Sequence, residues 1–475
     1  MKRVFAFSCD ARLAIALLAA AMAFVFTAFA PQLLNDGDTF LHIAAGRTML
    51  ADHKILFADP FSYTFAGAPW NAHEWLAEIL MAAAYYAGDW SGLVGLFALA
   101  AALAAGLLTY HLGRWLEPLA QAVTAVLALS CMTGSLLARP HLLALPLLIL
   151  WTAELVKARS ENRAPSWLLL PVMAIWVNVH ASFLLGLGLA GGLALEALVA
   201  NPSSRAKVRR EWGLFGIAAL GACLLNPHFV QGIIFPLTLM GTASLANVDE
   251  WQPMDLTHLQ PIELVVAAAL YVIVSRRVRM PVVRALILLG LLYMAVAHQR
   301  HQIVAAAIMP LLLAEPFSRA IGKSREGARS WRWAATAAVA LLAIASLSVL
   351  RVAEPILRGD GAVSPVTALS GVPASLRAAP VLNDYSFGGY LIFAGVRPFI
   401  DSRAELYGEA ALERYAALIR PDPAALDAAI RRYGIRWSIL NPASPMVAEL
   451  DARPGWRRVH SDRFAIVHIR DSSAR

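Results

Sequence analysis

DGDTFLHIAAGR, residues 36–47, decides how the rest of the chain is read. It opens a long connection, 34–89, that follows a first apolar run at 13–33 and is neither low-complexity nor purely polar. Within it Phe40, Ile43, Ala44, Arg47, Met49 and Leu50 recur with a loosely helical period. A second apolar stretch, 73–86, also has helical character but is short for a membrane crossing. Both read as helices lying at a membrane surface, with Trp70, Trp75, Tyr85, Tyr86 and Trp90 as interfacial anchors. Turns fall at Asp59-Pro60 and Gly67-Ala68-Pro69. In the alternative reading, 74–86 is itself a span, which forces an extra crossing nearby.

Around this connection the chain is a membrane protein by composition. Hydrophobic residues make up 59% and charged residues 15% of its 475 positions, and the mean hydropathy is +0.59; a soluble domain carries more charge and less apolar area. Apolar runs lie near 13–33, 90–111, 119–137, 142–156, 166–178, 182–199, 213–225, 262–275, 281–297, 302–317 and 333–350, which predicts about eleven transmembrane helices. The runs at 166–178 and 213–225 are shorter than the roughly 20 residues of a full span, so they are expected to tilt, break or end below the surface.

Alternate connections hold most of the cations: Lys2, Arg3 and Arg12; Arg114; Lys157, Arg159 and Arg163; Arg205, Lys207, Arg209 and Arg210; Arg276, Arg277 and Arg279; Arg319, Lys323, Arg325, Arg329 and Arg332. The positive-inside rule puts these in the cytoplasm, with the amino terminus, and puts the carboxy-terminal segment outside the inner membrane, in the periplasm or its equivalent. The first run, with its basic start and Ala28-Phe29-Ala30, also imitates a secretory signal peptide; its length and the spans that follow favour an uncleaved helix. The pI of about 9.6 reflects orientation and contact with anionic lipid headgroups, so it implies no nucleic-acid partner.

The opposite connections hold the polar groups: Asp36/Asp38, His73/Glu74, Arg139/His141, Asn178/His180, Asn226/His228, Asp249/Glu250 and His298/Arg300/His301. Ionisable residues at helix ends beside hydrocarbon are costly, and their gathering on one face points to a polar site. The cytoplasmic half shows almost none beyond His111, Glu154, Lys157 and Glu196, an asymmetry that counts against a transport path.

Residues 1–352 thus form a transmembrane domain carrying the large outer loop 34–89, and 353–475 a separate α/β domain outside the membrane. In the latter, Val381 and Leu382, 390–393 and 399–400 look strand-like, 423–433 is helical, 437–440 is a strand, and 456–459 with 464–469 forms a hairpin around Ser461-Asp462. This domain has no cysteine, and Cys9, Cys131 and Cys223 are too scattered for a metal quartet.

The layout of a first span, an outer loop opening with Asn35-Asp36-Gly37-Asp38, surface helices, about ten more spans and an outer carboxy-terminal domain resembles the GT-C superfamily of membrane glycosyltransferases. The segments DGDTFLHIAAGR, NAHEWLAE (71–78), RPH (139–141), NVH (178–180), NPH (226–228) and NDYSFGGYL (383–391) also resemble a family of bacterial membrane proteins with no established reaction. The superfamily resemblance implies inverting sugar transfer at the outer face, from a polyprenyl-phosphate-linked donor to a lipid-linked or polysaccharide acceptor. Such chemistry needs a carboxylate to take the acceptor proton. Asp38 is the preferred candidate, because it opens the first surface helix, and Asp36 the second; the plainer reading has both capping that helix. A departing polyprenyl phosphate needs cations, and Arg139 and Arg300, with His141, His298 and His301, suit it; snorkelling or pairing with Glu74, Asp249 or Glu250 is the alternative.

His73, Glu74 and His180 complete the candidate substrate-binding set. With His228 they are also weighed as ligands of a divalent metal, although adjacent His73 and Glu74 would face apart on a helix and no metal motif is present. No other cofactor is implied. Asn178 and Asn226 read as helix-end hydrogen bonders or sugar contacts. Asn383, Asp384, Tyr385, Asp401 and Arg403 read as turn chemistry with a local Asp401–Arg403 pair, or as acceptor recognition. Two other function classes stay in view: a transporter or flippase for a lipid-linked or polar substrate, and a non-catalytic partner in envelope polysaccharide assembly. No Gly-rich phosphate loop, dinucleotide fingerprint or nucleophilic triad pattern is present, which disfavours a nucleotide-sugar donor.

Overall fold

A computed structural model describes residues 11–240, 252–322, 330–420 and 422–471; Cys9, Asp249 and Glu250 fall outside them. The chain is mostly helical and divides into two compact units. One contains the described parts of Met1–Ala30, Ser91–Ile234 and Ala246–Pro355; the other contains Pro31–Trp90, the described parts of Phe235–Leu245, and Ile356–Arg475. The connection 34–89 is therefore part of the same unit as the carboxy-terminal segment.

Every apolar run carries a helix. In order these are α1 (Ala11–Ala28), α2 (Gly37–Asp52), α3 (Trp75–Leu112), α4 (Pro118–Met132), α5 (Pro140–Ser160), α6 (Leu169–Trp176), α7 (Phe183–Ala200), α8 (Arg205–Ala222), α9 (Val230–Met240), α10 (Pro261–Ser275), α11 (Val282–Ala297), α12 (Gln302–Ile321) and α13 (Ser330–Ala353). Among the described residues six stretches are long and apolar enough to cross a membrane: Ala11–Ala28, Trp75–Leu112, Pro118–Ser135, Pro140–Ser160, Phe183–Ala200 and Gln299–Ile321. Four apolar stretches are shorter: Val230–Leu239, Pro261–Ser275, Val282–Ala297 and Ala335–Arg351. α6, expected over 166–178, keeps only 8 helical residues. α3 is two helices joined at a break where Gly88 and Asp89 leave helical geometry (Asp89 φ 53°). The first of the two covers most of the helix expected at 73–86, and the second covers the run at 90–111.

Small residues let the membrane helices approach closely, as lipid-embedded packing requires. A Cβ on Gly186 of α7 would stand 2.6 Å from Trp176, and Trp151 of α5 donates its indole N–H to the Gly186 carbonyl at 2.8 Å. The same unit holds a charge cluster that the sequence reading missed. Arg284 of α11, 2% exposed, donates to both carboxylate oxygens of Glu196 (3.0 and 2.7 Å) and to Glu315 at 3.1 Å. Arg159 approaches Glu196 at 3.1 Å. Arg284 and Glu315 each interrupt an otherwise apolar run and escaped notice there. Buried charges that answer one another in this way tie α5, α7, α11 and α12 together, and they add Arg284 and Glu315 to the few polar residues expected beside His111, Glu154, Lys157 and Glu196.

The second unit is built on a four-stranded sheet of β1 (Val381–Asn383), β2 (Trp437–Leu440), β3 (Trp456–Ser461) and β4 (Ile466–Arg470), in the order β1-β2-β4-β3. β1 runs parallel to β2, whereas β2–β4 and β3–β4 are antiparallel. Short helices α14 (Val366–Ser370) and α15 (Ala374–Arg377) precede β1; α16 (Gly388–Phe393), α17 (Ala404–Ile419) and α18 (Pro423–Tyr433) separate β1 from β2; α19 (Met446–Ala452) follows β2. Both faces of the sheet are covered. Val381, Trp437, Ile439 and Val467 pack with Phe387 and Leu391, while Leu382, Leu440 and Ile466 pack with Leu426, Ile430 and Leu450. β1, β2 and β4 are accordingly buried along nearly their whole length, whereas β3, at the sheet edge, leaves Arg457, Arg458 and Val459 exposed.

Two expected strands are corrected. Residues 390–393 are the end of α16, because Gly388 and Gly389 continue a 3-10 turn at Tyr385–Phe387 into a helix. Residues 399–400 are irregular, their backbone held by Asn383, whose side chain accepts from Phe399 N at 2.7 Å and donates to Ile400 O at 2.8 Å.

Arg403 joins the connection 34–89 to the carboxy-terminal segment. Its guanidinium takes Asp401 in a two-pronged grip (2.8 and 2.7 Å) and Asp59, 344 residues away, at 2.8 Å. All three are buried; Tyr407 donates to Asp401 at 2.7 Å and the Trp70 ring lies 4.6 Å from the guanidinium carbon. The expected local Asp401–Arg403 pair is present, and Asp59 is the partner that sequence reading did not supply. Arg403→Met strands two buried carboxylates without their cation. The expected loss is about 3–5 kcal/mol, read as a lowered unfolding midpoint of the full chain in detergent, with Asp59→Asn giving a smaller loss.

Candidate functional site

α2 starts where Asp36, in extended conformation, accepts the Asp38 backbone N–H at 2.7 Å. That is an N-cap, so the plainer reading of Asp36 is realised; Asp36 is 6% exposed, and Asp38 occupies the first turn. Glycines hold α2 in place by removing side chains at two close approaches. A Cβ on Gly389 would lie 2.2 Å from the Gly37 carbonyl, and one on Gly46 would lie 2.0 Å from the Glu78 carbonyl.

The second approach aligns two acid-bearing stretches. Asp38 and His42 are one turn apart on α2, and Glu74, just before α3, lies one turn from Glu78 in its first turn. His42 Nδ1 is 3.2 Å from Glu78 and its Nε2 is 3.9 Å from Glu74. His73 Nε2 lies 3.9 Å from Glu74. His73 and Glu74 both precede α3 instead of lying on it, which corrects the expectation that they face apart. His73 also stacks against Phe235 at 5.0 Å. Burial alone would lower the His42 pKa, but the hydrogen bond from Glu78 and the charges of Glu74, Glu78 and Asp38 outweigh it and raise it to about 9. Nearby, Trp70 donates its indole N–H to Glu405 at 3.1 Å, and burial raises the Glu405 carboxyl above its ordinary range.

Sequence reading missed His42, Glu78 and Glu405 as members of this cluster. The i, i+4 spacing of Asp38–His42 and Glu74–Glu78 was the available signal. An imidazolium held among carboxylates orients them, which is what a proton acceptor needs.

In the other unit, Arg139 stands at the N-cap of α5 with Pro140 as the first helical residue. His141 bonds Ser135 O at 3.0 Å, and its ring is 6.3 Å from that of His180. His180 Nδ1 engages the Ser182 hydroxyl at 2.9 Å. Asn178 donates to Leu225 O at 2.8 Å, which ties the end of α6 to the end of α8. Asn226 accepts from His228 N at 2.8 Å and donates to Phe229 O at 2.9 Å; both asparagines therefore serve helix ends. Arg300 lies in the 3-10 turn Gln299–His301 before α12, where the His298 and His301 rings are 5.4 Å apart. Among the described residues, no group of three or more His, Cys, Asp or Glu is placed to hold a metal ion, the set of His73, Glu74, His180 and His228 included. Asp384 caps the 3-10 turn at Tyr385 through Ser386 N at 3.0 Å, so this part of the carboxy-terminal cluster is turn chemistry.

Below pH 6.5 the folded and unfolded chains both hold the His42 proton, and the stabilisation is complete; as pH rises through about 9 it is lost. Thermal unfolding of the full chain between pH 6 and pH 10 is expected to show a midpoint falling on the alkaline side, and His42→Gln is expected to flatten that fall.

No protein-family model and no curated protein matches the sequence. Solved structures do. An oligosaccharyltransferase from Archaeoglobus fulgidus in its apo form matches with 11% identity and a TM-score of 0.50, over 89% of this chain and 69% of that one. ArnT from Cupriavidus metallidurans bound to undecaprenyl phosphate matches with 14% identity and a TM-score of 0.51, over 96% and 98%. The same protein in the apo state gives 13% and 0.51, over 95% and 96%. At these identities the likeness establishes architecture alone: the chain shares the fold of these structures, a GT-C-like fold.

Proposed function

We propose that the chain is a membrane glycosyltransferase that moves a sugar from a polyprenyl-phosphate-linked donor to an acceptor outside the cytoplasmic membrane. The observation that carries this reading is the acid cluster at the start of α2, on a chain with a GT-C-like fold. The ArnT neighbour, bound to undecaprenyl phosphate, supports a donor of that class. So does an apolar cavity of about 840 Å³ in the membrane unit, walled by Met22, Phe26, Val126, Leu129, Leu142 and Val339, which suits an isoprenoid chain. The reading takes about eleven spans, a cytoplasmic amino terminus and an outer carboxy-terminal domain.

In the proposed step the acceptor hydroxyl attacks the anomeric carbon and its proton passes to Asp38. The bond from that carbon to the phosphate oxygen breaks, and polyprenyl phosphate leaves with the electron pair. Asp38 is preferred to Asp36 because the latter is committed to capping α2. Arg139 and Arg300 are the proposed phosphate binders; each precedes a helix, whose positive end adds to the attraction for an anion. His141, His180, His298 and His301 supply further donors beside them, and His73 and Glu74 line the acid cluster.

Labelled-sugar transfer from polyprenyl-phosphate donors, measured in membranes, tests the base. Asp38→Asn is expected to slow transfer about 10²-fold to 10⁴-fold, whereas Asp36→Asn, which keeps a competent cap, is expected to have a far smaller effect. Full activity in the double variant would move the protein to the scaffold reading. Mass spectrometry of co-purifying lipids tests the phosphate site: polyprenyl phosphate is expected with the native chain and absent from Arg139→Ala/Arg300→Ala.

A further inference from the structure

The carboxy-terminal unit contains a second cavity, apart from the acid cluster, of about 250 Å³. Its wall is aromatic: Phe65, Phe399, Tyr407, Tyr415 and Tyr433 all line it. Phe65 and Tyr407 meet edge to face at 5.0 Å, as do Phe399 and Tyr433 at 5.2 Å. Three hydroxyls that border the cavity are already committed. Tyr407 donates to Asp401 at 2.7 Å and Tyr415 to the Asn383 carbonyl at 3.2 Å, and the Thr64 hydroxyl donates to Phe399 O at 2.6 Å.

Two cations line the same cavity, Arg414 from α17 and Arg432 from α18. Both are exposed, and among the described residues neither forms an ion pair; the Arg432 guanidinium carbon lies 5.1 Å from the Tyr433 ring. Aromatic faces offer area to the C–H face of a sugar at little entropic cost, and guanidinium groups match planar carboxylates in a two-pronged geometry. The volume falls just under the roughly 300–1,000 Å³ of ordinary small-molecule sites, which suits a single ring.

We propose that this pocket binds one anionic sugar unit, a uronate, stacked on the aromatic wall with its carboxylate held by Arg414 and Arg432. The inference deepens the transfer reading, on which it rests for the statement that the bound unit belongs to the acceptor; binding itself does not depend on transfer.

The test uses the full chain in lipid nanodiscs, titrated calorimetrically with a hexuronate oligosaccharide and with a neutral glucan of the same length. The uronate is expected to bind at least tenfold more tightly. Arg414→Gln/Arg432→Gln, a change of two exposed side chains that leaves the unfolding midpoint unaltered, is expected to abolish that preference, while Asp38→Asn retains it. Equal binding of both sugars, binding of neither, or a preference that survives the arginine variant would overturn the proposal. Uronate binding with no transfer activity in the native chain would defeat the transfer reading and leave the pocket assigned.

Discussion

Burying one guanidinium between two carboxylates is the constraint on which the carboxy-terminal unit depends. Arg403 satisfies Asp401 beside it and Asp59 from the outer loop, and taking any one of the three out of water alone would cost several kcal/mol. The set is therefore stable only when loop and carboxy-terminal segment are assembled together. Trp70 and Tyr407 complete the enclosure, one by its face and one by its hydroxyl. Through Trp70 the same assembly reaches Glu405.

From that anchor the position of α2 follows by steric exclusion. Glycine at 389 allows α16 to meet the Gly37 backbone, and glycine at 46 allows α2 to meet the Glu78 backbone. The second contact brings His42 to Glu74 and Glu78, and the field of these acids together with Asp38 keeps the imidazole charged at neutral pH. A cationic histidine surrounded by carboxylates is electrostatically self-consistent only in this folded arrangement. The chemistry proposed for Asp38 thus rests on packing as much as on its own side chain.

Much of this architecture was legible in the sequence. Apolar length located a helix in each of the runs, because burying about 20 residues of backbone in lipid leaves few alternatives to a helix. Periodicity placed α2 and α18, and apolar β-branched or aromatic content marked β2 and the β3–β4 hairpin. It failed at 390–393, where a four-residue apolar segment is too short to display a period and a glycine pair started a helix instead. It also passed over Arg284 and Glu315, whose charges are invisible to a hydropathy average over a long run.

The sequence by itself determined the membrane class, the helices, the existence of a carboxy-terminal α/β segment and the polar residues at helix ends, since hydrophobic length and charge are local properties of the chain. Only the tertiary structure decided which charges meet: Asp59 with Arg403, Glu196 and Glu315 with Arg284, His42 with Glu78. These partners are separated by 31 to 344 residues, and nothing in the spacing of a one-dimensional string carries the close approach of backbones that brings them together.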